Sequence, residues 1–475
     1  MKHYAYIWMI GLLSIVNCQL STAQDVQRLA ERNIMGTARY VGMGGAMTAV
    51  GGDPSAALDN PAGLGLYRRS ELSITIDETI DRTAQHSLIP EFNASLTNRS
   101  RFSAPQVSII WAWGNPSKQR GMIFNNLLFS ANRLANFNRD IAVKGSGMGM
   151  AETMSVLTNG LAEEYLQNKP WNDTEIGWLS ILGYESYLID PVGDNKWTPA
   201  VDFTDGSLLI SESGNFDQYT LSWASNIGNQ WYVGLSMNIP TLSYTKRSSH
   251  YEKDHTNSAQ LKSMYHLSGL GVSGSIGLIY RPLQALRIGA SFHTPTVMNL
   301  SQQTEGDVYA TIAGQQYEIL TPASGVSSRE LSTPLRTSIS VAGQMGKVAM
   351  IALQYDYAHS AEMEDVHTLR LGAEVQPCRG FFLNMGYVYE SSFMKEDPIW
   401  YLGYNEIRTD MDYRYTAASQ YASAALGYRG DVIVAQLAYQ FRLQTIHQYA
   451  SEAQMAPFEV DAMTHRIVAT LAWRF

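Results

Sequence analysis

The chain has 475 residues, 11% of them aromatic, with 43 acidic side chains against 34 basic ones and a formal net charge of −9. That balance argues against nucleic acid as a partner, and with only Cys18 and Cys378 present there is neither a disulfide framework nor a thiolate zinc site. Beyond the first residues no apolar run reaches the roughly 18 residues of a membrane helix, whereas a transmembrane barrel needs only alternation and is not excluded.

Lys2, the apolar run from Tyr6 to Val16 and the small residues Ser21-Thr22-Ala23 have the layout of a secretory leader, so residues 1–23 are expected to be a signal peptide cleaved after Ala23. A lipoprotein reading of Cys18 is disfavoured by Asn17, which stands where a very small residue belongs. Cys378, beside Pro377 at an expected turn, is read as incidental. Residues 24–69 carry no sustained two-residue period. A helix-compatible run, Asp25 to Arg32, is followed by a glycine-rich stretch at Gly42, Gly44, Gly45, Gly51 and Gly52.

From residue 70 the pattern changes to alternation. Trp231, Val233, Leu235, Met237 and Ile239 share one parity and Gln230, Ser236 and Asn238 the other; Ile467, Ala469, Leu471, Trp473 and Phe475 likewise oppose Arg466, Thr470 and Arg474. The same test marks about fourteen strands, near 70–79, 104–113, 120–132, 216–224, 230–239, 269–280, 285–293, 334–344, 348–359, 368–376, 381–391, 420–428, 432–443 and 464–475. Long polar stretches follow the odd strands and short turns the even ones, the asymmetry of outer-membrane barrels. Trp113, Trp223, Trp231, Tyr280, Tyr428 and Trp473 gather at the short-turn ends as an interfacial girdle would. A soluble β-sandwich requires neither feature. The fold expected is therefore all-β, an antiparallel transmembrane barrel over residues 70–475 in the outer membrane of a Gram-negative bacterium. Such a barrel is too wide to be filled by its own side chains, so residues 24–69 are expected to fold into the lumen as a plug.

Two irregularities stand out. Adjacent amides at Asn125-Asn126 disturb the third strand, through either a kink that opens a lateral window or a register slip with one Asn lining the lumen. In the long insertion after that strand, Met150, Met154, Leu157, Leu161 and Tyr165 are spaced as one helical stripe, which either buries itself against a neighbouring loop or forms an external groove for apolar ligand. Other motifs carry little. Gly269-x-Gly271-x-x-Gly274 lies inside a strand with no helix after it, and Asp410-x-Asp412 lacks the rest of a calcium loop. His359, His367 and His447 have no ligand spacing and no nucleophile elbow is present, so no metal, cofactor or enzymatic activity is expected.

The segment Ala38-Arg39-Tyr40-Val41-Gly42-Met43-Gly44-Gly45-Ala46, then Asp53-Pro54-Ser55-Ala56 and above all Asn60-Pro61-Ala62-Gly63-Leu64, resembles the plug of the FadL family of outer-membrane transporters. Leu286 to Phe292 and the terminal Trp473-Arg474-Phe475 are similar in kind. The resemblance implies a monomeric passive channel for hydrophobic small molecules, such as long-chain fatty acids or hydrocarbons, which leave sideways into outer-membrane lipid beside a kinked strand. On that view Asn60, Pro61, Ala62 and Gly63 form the plug motif, and Arg39, Asn125, Asn126, Met150, Met154 and Leu157 are the candidate ligand contacts or gate; Arg68 and Arg69 are weaker candidates for pairing a charged head group. A second reading, also drawn from that family, is a barrel that binds another outer-membrane or secretion protein as a scaffold and transports nothing.

Overall fold

A computed structural model of the chain describes residues 32–86, 96–117, 120–168, 170–173, 175–322, 325–346, 348–361, 363–394, 407–451 and 457–475. The expected leader and most of the helix-compatible run after it lie outside the described residues.

All fourteen expected strands are present, and most are longer than the alternation indicated. They are β1 Glu71–His86, β2 Leu96–Gly114, β3 Met122–Asn136 continued by Arg139–Gly145, β4 Asp205–Ile227, β5 Trp231–Lys253, β6 Ser258–Leu283, β7 Leu286–His293 continued by Val297–Ile312, and β8 Gly325–Ser332 continued by Leu335–Met345. The remainder are β9 Ala349–His359, β10 Val366–Cys378, β11 Phe381–Glu390, β12 Tyr413–Arg429, β13 Ile433–Tyr449 and β14 Phe458–Arg474. Neighbours in sequence pair antiparallel, and β1 closes on β14 from Glu71↔Arg474 to His86↔Glu459. Closure removes the sheet edges that an open sheet would expose.

The two faces differ as a lipid-facing wall requires. On β5, Trp231, Leu235, Met237 and Ile239 are exposed while Tyr232, Gly234, Ser236 and Asn238 are buried inward. The nine residues 231–239 match the length a tilted strand needs to cross a bilayer. Beyond Ile239 the outward residues become Thr241, Ser243, Thr245 and Arg247, so the strand continues above the membrane. The girdle is also present: Trp231 stacks on Tyr280 at 4.1 Å, and Phe381 contacts Tyr428 at 5.2 Å between ring centroids. No described helix is long and apolar enough to cross a membrane; the chain crosses with its strands. The protein is an outer-membrane β-barrel, because only a closed barrel satisfies strand backbones within lipid.

The lumen wall is polar where β1 meets β14. Arg474 Nε donates to Glu71 at 2.7 Å, Arg466 pairs with Asp77, and the hydroxyls of Thr75 and Thr470 are 2.9 Å apart. Against this wall sits the plug. Its one α-helix among the described residues, α1 (Ala38–Gly42), is capped by Thr37, whose hydroxyl accepts from Tyr40 N at 3.2 Å and donates to Asp53 at 2.8 Å. Two 3-10 turns follow, Ser55–Leu58 and Pro61–Leu66.

The segment Asn60-Pro61-Ala62-Gly63 touches both the plug and the wall. Asn60 Oδ1 caps the second turn by accepting from Ala62 N at 3.0 Å, as helix starts favour. Its Nδ2 donates to Thr48 O at 2.8 Å and to Leu278 O of β6 at 3.2 Å, tying plug to wall. Inward glycines make room for this approach: a side chain at Gly277 would overlap Asn60, and one at Gly386 would meet the backbone of Gly44.

Candidate functional site

A path from outside to lipid would have to cross the cap, the lumen above the plug and the wall. The cap is the insertion between β3 and β4. It forms α2 (Met150–Thr158), α3 (Glu163–Leu166) and α4 (Trp178–Glu185), with a small ribbon of Ile189–Gly193 paired to Lys196–Pro199. Met150, Met154 and Leu157 are buried with Trp178, Ile181 and Leu182 against Ala259 and Leu261 of β6 and Val308 and Ala310 of β7. The stripe ends there because α2 stops before Gly160, which adopts φ +95°. Leu161 only partly joins the cluster and Tyr165 is exposed. Met150 N donates to Glu252 Oε1 of β5 at 2.8 Å, fixing the cap to the rim.

Below the cap, residues 407–412 run as a strap across the lumen before β12. Met411 points into the cap cluster, whereas Asp410 and Asp412 point into a buried set of charges. Arg408 Nη2 lies 2.9 Å from Asp410, Lys246 of β5 contacts Asp410 and lies 3.0 Å from Asp412, and Arg414 reaches Asp412 at 3.4 Å and Glu212 of β4 at 3.0 Å. The Arg408 guanidinium also covers the Tyr265 ring at 4.5 Å. Burial pushes the Asp410 carboxyl up, but Arg408 and Lys246 outweigh it and hold it well below the usual carboxylate range. Three positive and three negative side chains thus separate the apolar cap from what lies beneath.

Beneath is a second apolar layer, unusual for a lumen face. Phe216 of β4, Leu242 and Tyr244 of β5, Tyr265 and Leu267 of β6 and Met298 and Leu300 of β7 surround the top of the plug at Leu58. The layer reaches β3 through Leu134 and Phe137, the latter edge-on to Tyr244 at 5.3 Å.

At that point the wall is interrupted. The β2–β3 ladder runs from Gly114↔Phe124 to Gln106↔Asn132 and ends, although β2 continues to Leu96, paired to β1 alone. Pro105, which has no N–H to give, stands where the pairing stops, a position characteristic of edges and bulges. On the other side β3 shifts register against β4 between Arg133 and Ala135, breaks after Asn136 and resumes at Arg139. Gly214 of β4, opposite the break, holds φ +127° and its carbonyl accepts from Phe137 N at 3.1 Å; a side chain there would collide with the β5 backbone at Ser243.

The upper part of β3 then leans inward. Asp140 O accepts from the hydroxyls of Thr83 and Thr97 at 2.7 Å each, and Ile141 and Val143 pack on Ile446, Val460 and Ala462 inside β13 and β14. These are side-chain contacts, so the β2 edge over 96–105 keeps no ladder partner toward β3 among the described residues. The exposed Phe102 and Ile76 border it. The plug reports to the same place. Asn33 N donates to Leu134 O at 3.0 Å, and Arg442 and Arg466 hold Asn33 and Ile34 at 3.0 and 2.9 Å.

The residues singled out from the sequence are distributed unevenly over this path. The ladder is continuous through Asn125 and Asn126, with Asn126 fully buried against the plug and neither of its amide atoms hydrogen-bonded, and Asn125 turned outward near the short turns. The interruption lies farther along the strand, at 133–138. Arg39 sits at the opposite end of the plug, where its Nε donates to Glu374 at 2.6 Å and its Nη1 to Gly51 O and Gly52 O at 3.2 Å. Arg69 donates to Asp431 O at 3.0 Å, and Arg68 is exposed. Sequence reasoning missed Leu134, Phe137, Gly214 and the strap; Pro105 inside a strand pattern and the Asn136-Phe137-Asn138 cluster were available signals. No group of three metal-ligating side chains occurs among the described residues.

No protein-family model and no curated protein matches the chain. Solved structures do. The toluene transporter TbuX of Ralstonia pickettii aligns with 93% of this chain and 99% of its own, at TM-score 0.53 and 14% identity. The P. putida toluene transporter TodX aligns with 93% and 99% at TM-score 0.52 and 11% identity, and a Pseudomonas aeruginosa FadL homologue with 94% and 99% at 0.53 and 10%. At such identities the likeness is one of fold, and it covers most of the chain: this chain has the fold of these transporters.

Proposed function

We propose that the protein is a channel, not an enzyme, through which hydrophobic molecules enter from outside, cross beneath the cap and pass sideways into the membrane. The reading rests above all on one coincidence: the only stretch where the described β2–β3 ladder is missing adjoins both the apolar lumen layer, at Leu134 and Phe137, and the apolar outer belt, at Phe102 and Ile76. A molecule moving there stays among apolar groups and gains roughly 0.8 kcal/mol for each methylene it carries from water into lipid, so no energy source is needed. Phe137 and Leu134 act as the inner gate, and the Asn33 to Leu134 hydrogen bond couples it to the plug. Met150, Met154 and Leu157 receive the ligand when the cap loosens. The solved structures of the same fold named as toluene transporters favour the same class of cargo.

The test is uptake by cells lacking their own channels of this kind. Cells carrying the protein should take up radiolabelled toluene or a long-chain fatty acid several-fold faster than controls, with a sugar of similar size unaffected. Equal uptake with and without the protein would overturn the reading. The scaffold alternative has no specific structural observation in its favour, since the large exposed apolar surface forms the membrane belt.

A further inference from the structure

The mouth of the barrel at the short-turn end holds a cavity of about 460 Å³ that the lateral path does not use. Five arginines line it, Arg39, Arg68, Arg281, Arg287 and Arg429, against one acid, Glu374. Glu374 is already committed to Arg39 at 2.6 Å, to Arg429 at 3.7 Å and to Asn384 at 3.1 Å. Arg68, Arg281 and Arg287 have no carboxylate partner among the described residues. Arg281 and Arg287 flank the same short turn, where the β6–β7 register shifts, and the Nε of each is buried without a hydrogen bond. Like charges set side by side across a hairpin are destabilising, and orphaned buried donors call for a partner. Two of these arginines also hold the plug: Arg287 donates to Val50 O at 2.8 Å, and Arg39 to Gly51 O and Gly52 O.

We propose that this vestibule binds an oxyanion, the phosphate or carboxylate of a small molecule reaching it from the periplasmic side. The guanidinium forks of Arg281 and Arg287 match such a group bidentately, and the walls of the mouth focus the excess positive charge into the cavity. Leu66 and Phe382 offer the remainder of the ligand an apolar rest. Because the same side chains fix the 50–52 turn, the bound anion clamps the plug against the wall.

The shared chemistry has two sources, a soluble anion or the phosphate of a phospholipid, and the experiment separates them. The mature protein in detergent is titrated calorimetrically with inorganic phosphate and with sn-glycerol 3-phosphate, at ionic strength held constant with chloride. Saturable binding is expected, weakened at least tenfold in Arg281→Gln/Arg287→Gln and several-fold in Arg68→Gln, an exposed position whose change leaves folding intact. Repetition in nanodiscs assigns the source: loss of the signal in phosphatidylglycerol but not in phosphatidylcholine identifies a lipid phosphate, and its retention in both a soluble ligand. Hydrogen exchange at residues 50–52 should slow on binding. Absence of saturable binding to the wild-type protein, or equal binding by wild type and both variants, overturns the proposal.

Discussion

Lys246→Met tests whether the strap is held shut by charge. The Lys246 side chain is fully buried, with Nζ against Asp410 and 3.0 Å from Asp412. Removing it leaves Asp410, Asp412 and Glu212 facing Arg408, which pairs with Asp410, and Arg414, which also serves Glu212, so the set changes from neutral to net negative. Breaking a buried ion pair costs about 3–5 kcal/mol. Asp410 retains Arg408 at 2.9 Å and Asp412 retains Gln448 at 3.0 Å, which places the cost near the lower end, about 3 kcal/mol. That corresponds to an opening equilibrium raised by about 100-fold. Hydrogen–deuterium exchange of amides 408–412 reads this directly, with the amides of α1 as an internal control that should not change. Adding Asp412→Asn restores neutrality and should recover most of the protection. A less than threefold change in Lys246→Met would show that the strap is held by packing and that the charge argument is wrong.

The strap's pH dependence follows from the same contacts. Asp410 has a depressed folded pKa, so its contribution is present above the unfolded value of about 3.9 and is lost as pH falls below it. Strap exchange, corrected for its intrinsic rate, should therefore be flat from neutrality down to about pH 5 and rise only under stronger acid; a rise starting near pH 6 would contradict the assignment. Asn60→Ala removes a cap, one hydrogen bond within the plug to Thr48 O and one from plug to wall at Leu278 O. It should loosen the plug by about 1–2 kcal/mol, seen as faster exchange at 60–66 with unchanged heat-modifiable gel mobility of the barrel. Asn126→Leu replaces a buried amide whose polar atoms are both unpaired. Thermal unfolding in detergent should shift upward or stay level, since leaving such a group unmade costs about 1–3 kcal/mol; marked destabilisation would point to a bound water there.

The membrane-spanning half of each strand was legible because lipid on one side and a wet lumen on the other force a two-residue period. The upper halves were not: past Ile239 the outward face of β5 turns to Thr241, Ser243 and Thr245 while Leu242 and Tyr244 turn inward, so the apolar parity reverses although pairing continues to Lys253. The Asn-Pro-Ala-Gly motif marked the plug, but its contact with Leu278 joins residues 218 apart and leaves no local trace. Asp410-x-Asp412 was legible only as an incomplete calcium loop because its partner Lys246 lies on a strand far away in sequence. The wall break was sought at Asn125-Asn126, where two amides sit together. Its cause is instead distributed over three strands, through Pro105, the 133–138 irregularity of β3 and the positive φ of Gly214.

The most direct test of the lateral route is a crystal structure of the protein soaked with a brominated hydrocarbon, with bromine located by its anomalous signal. The account predicts sites between the cap and Leu58 and beside Leu134 and Phe137 at the free edge of β2. Bromine running down through the plug into the arginine-lined mouth, with none at that edge, would contradict it.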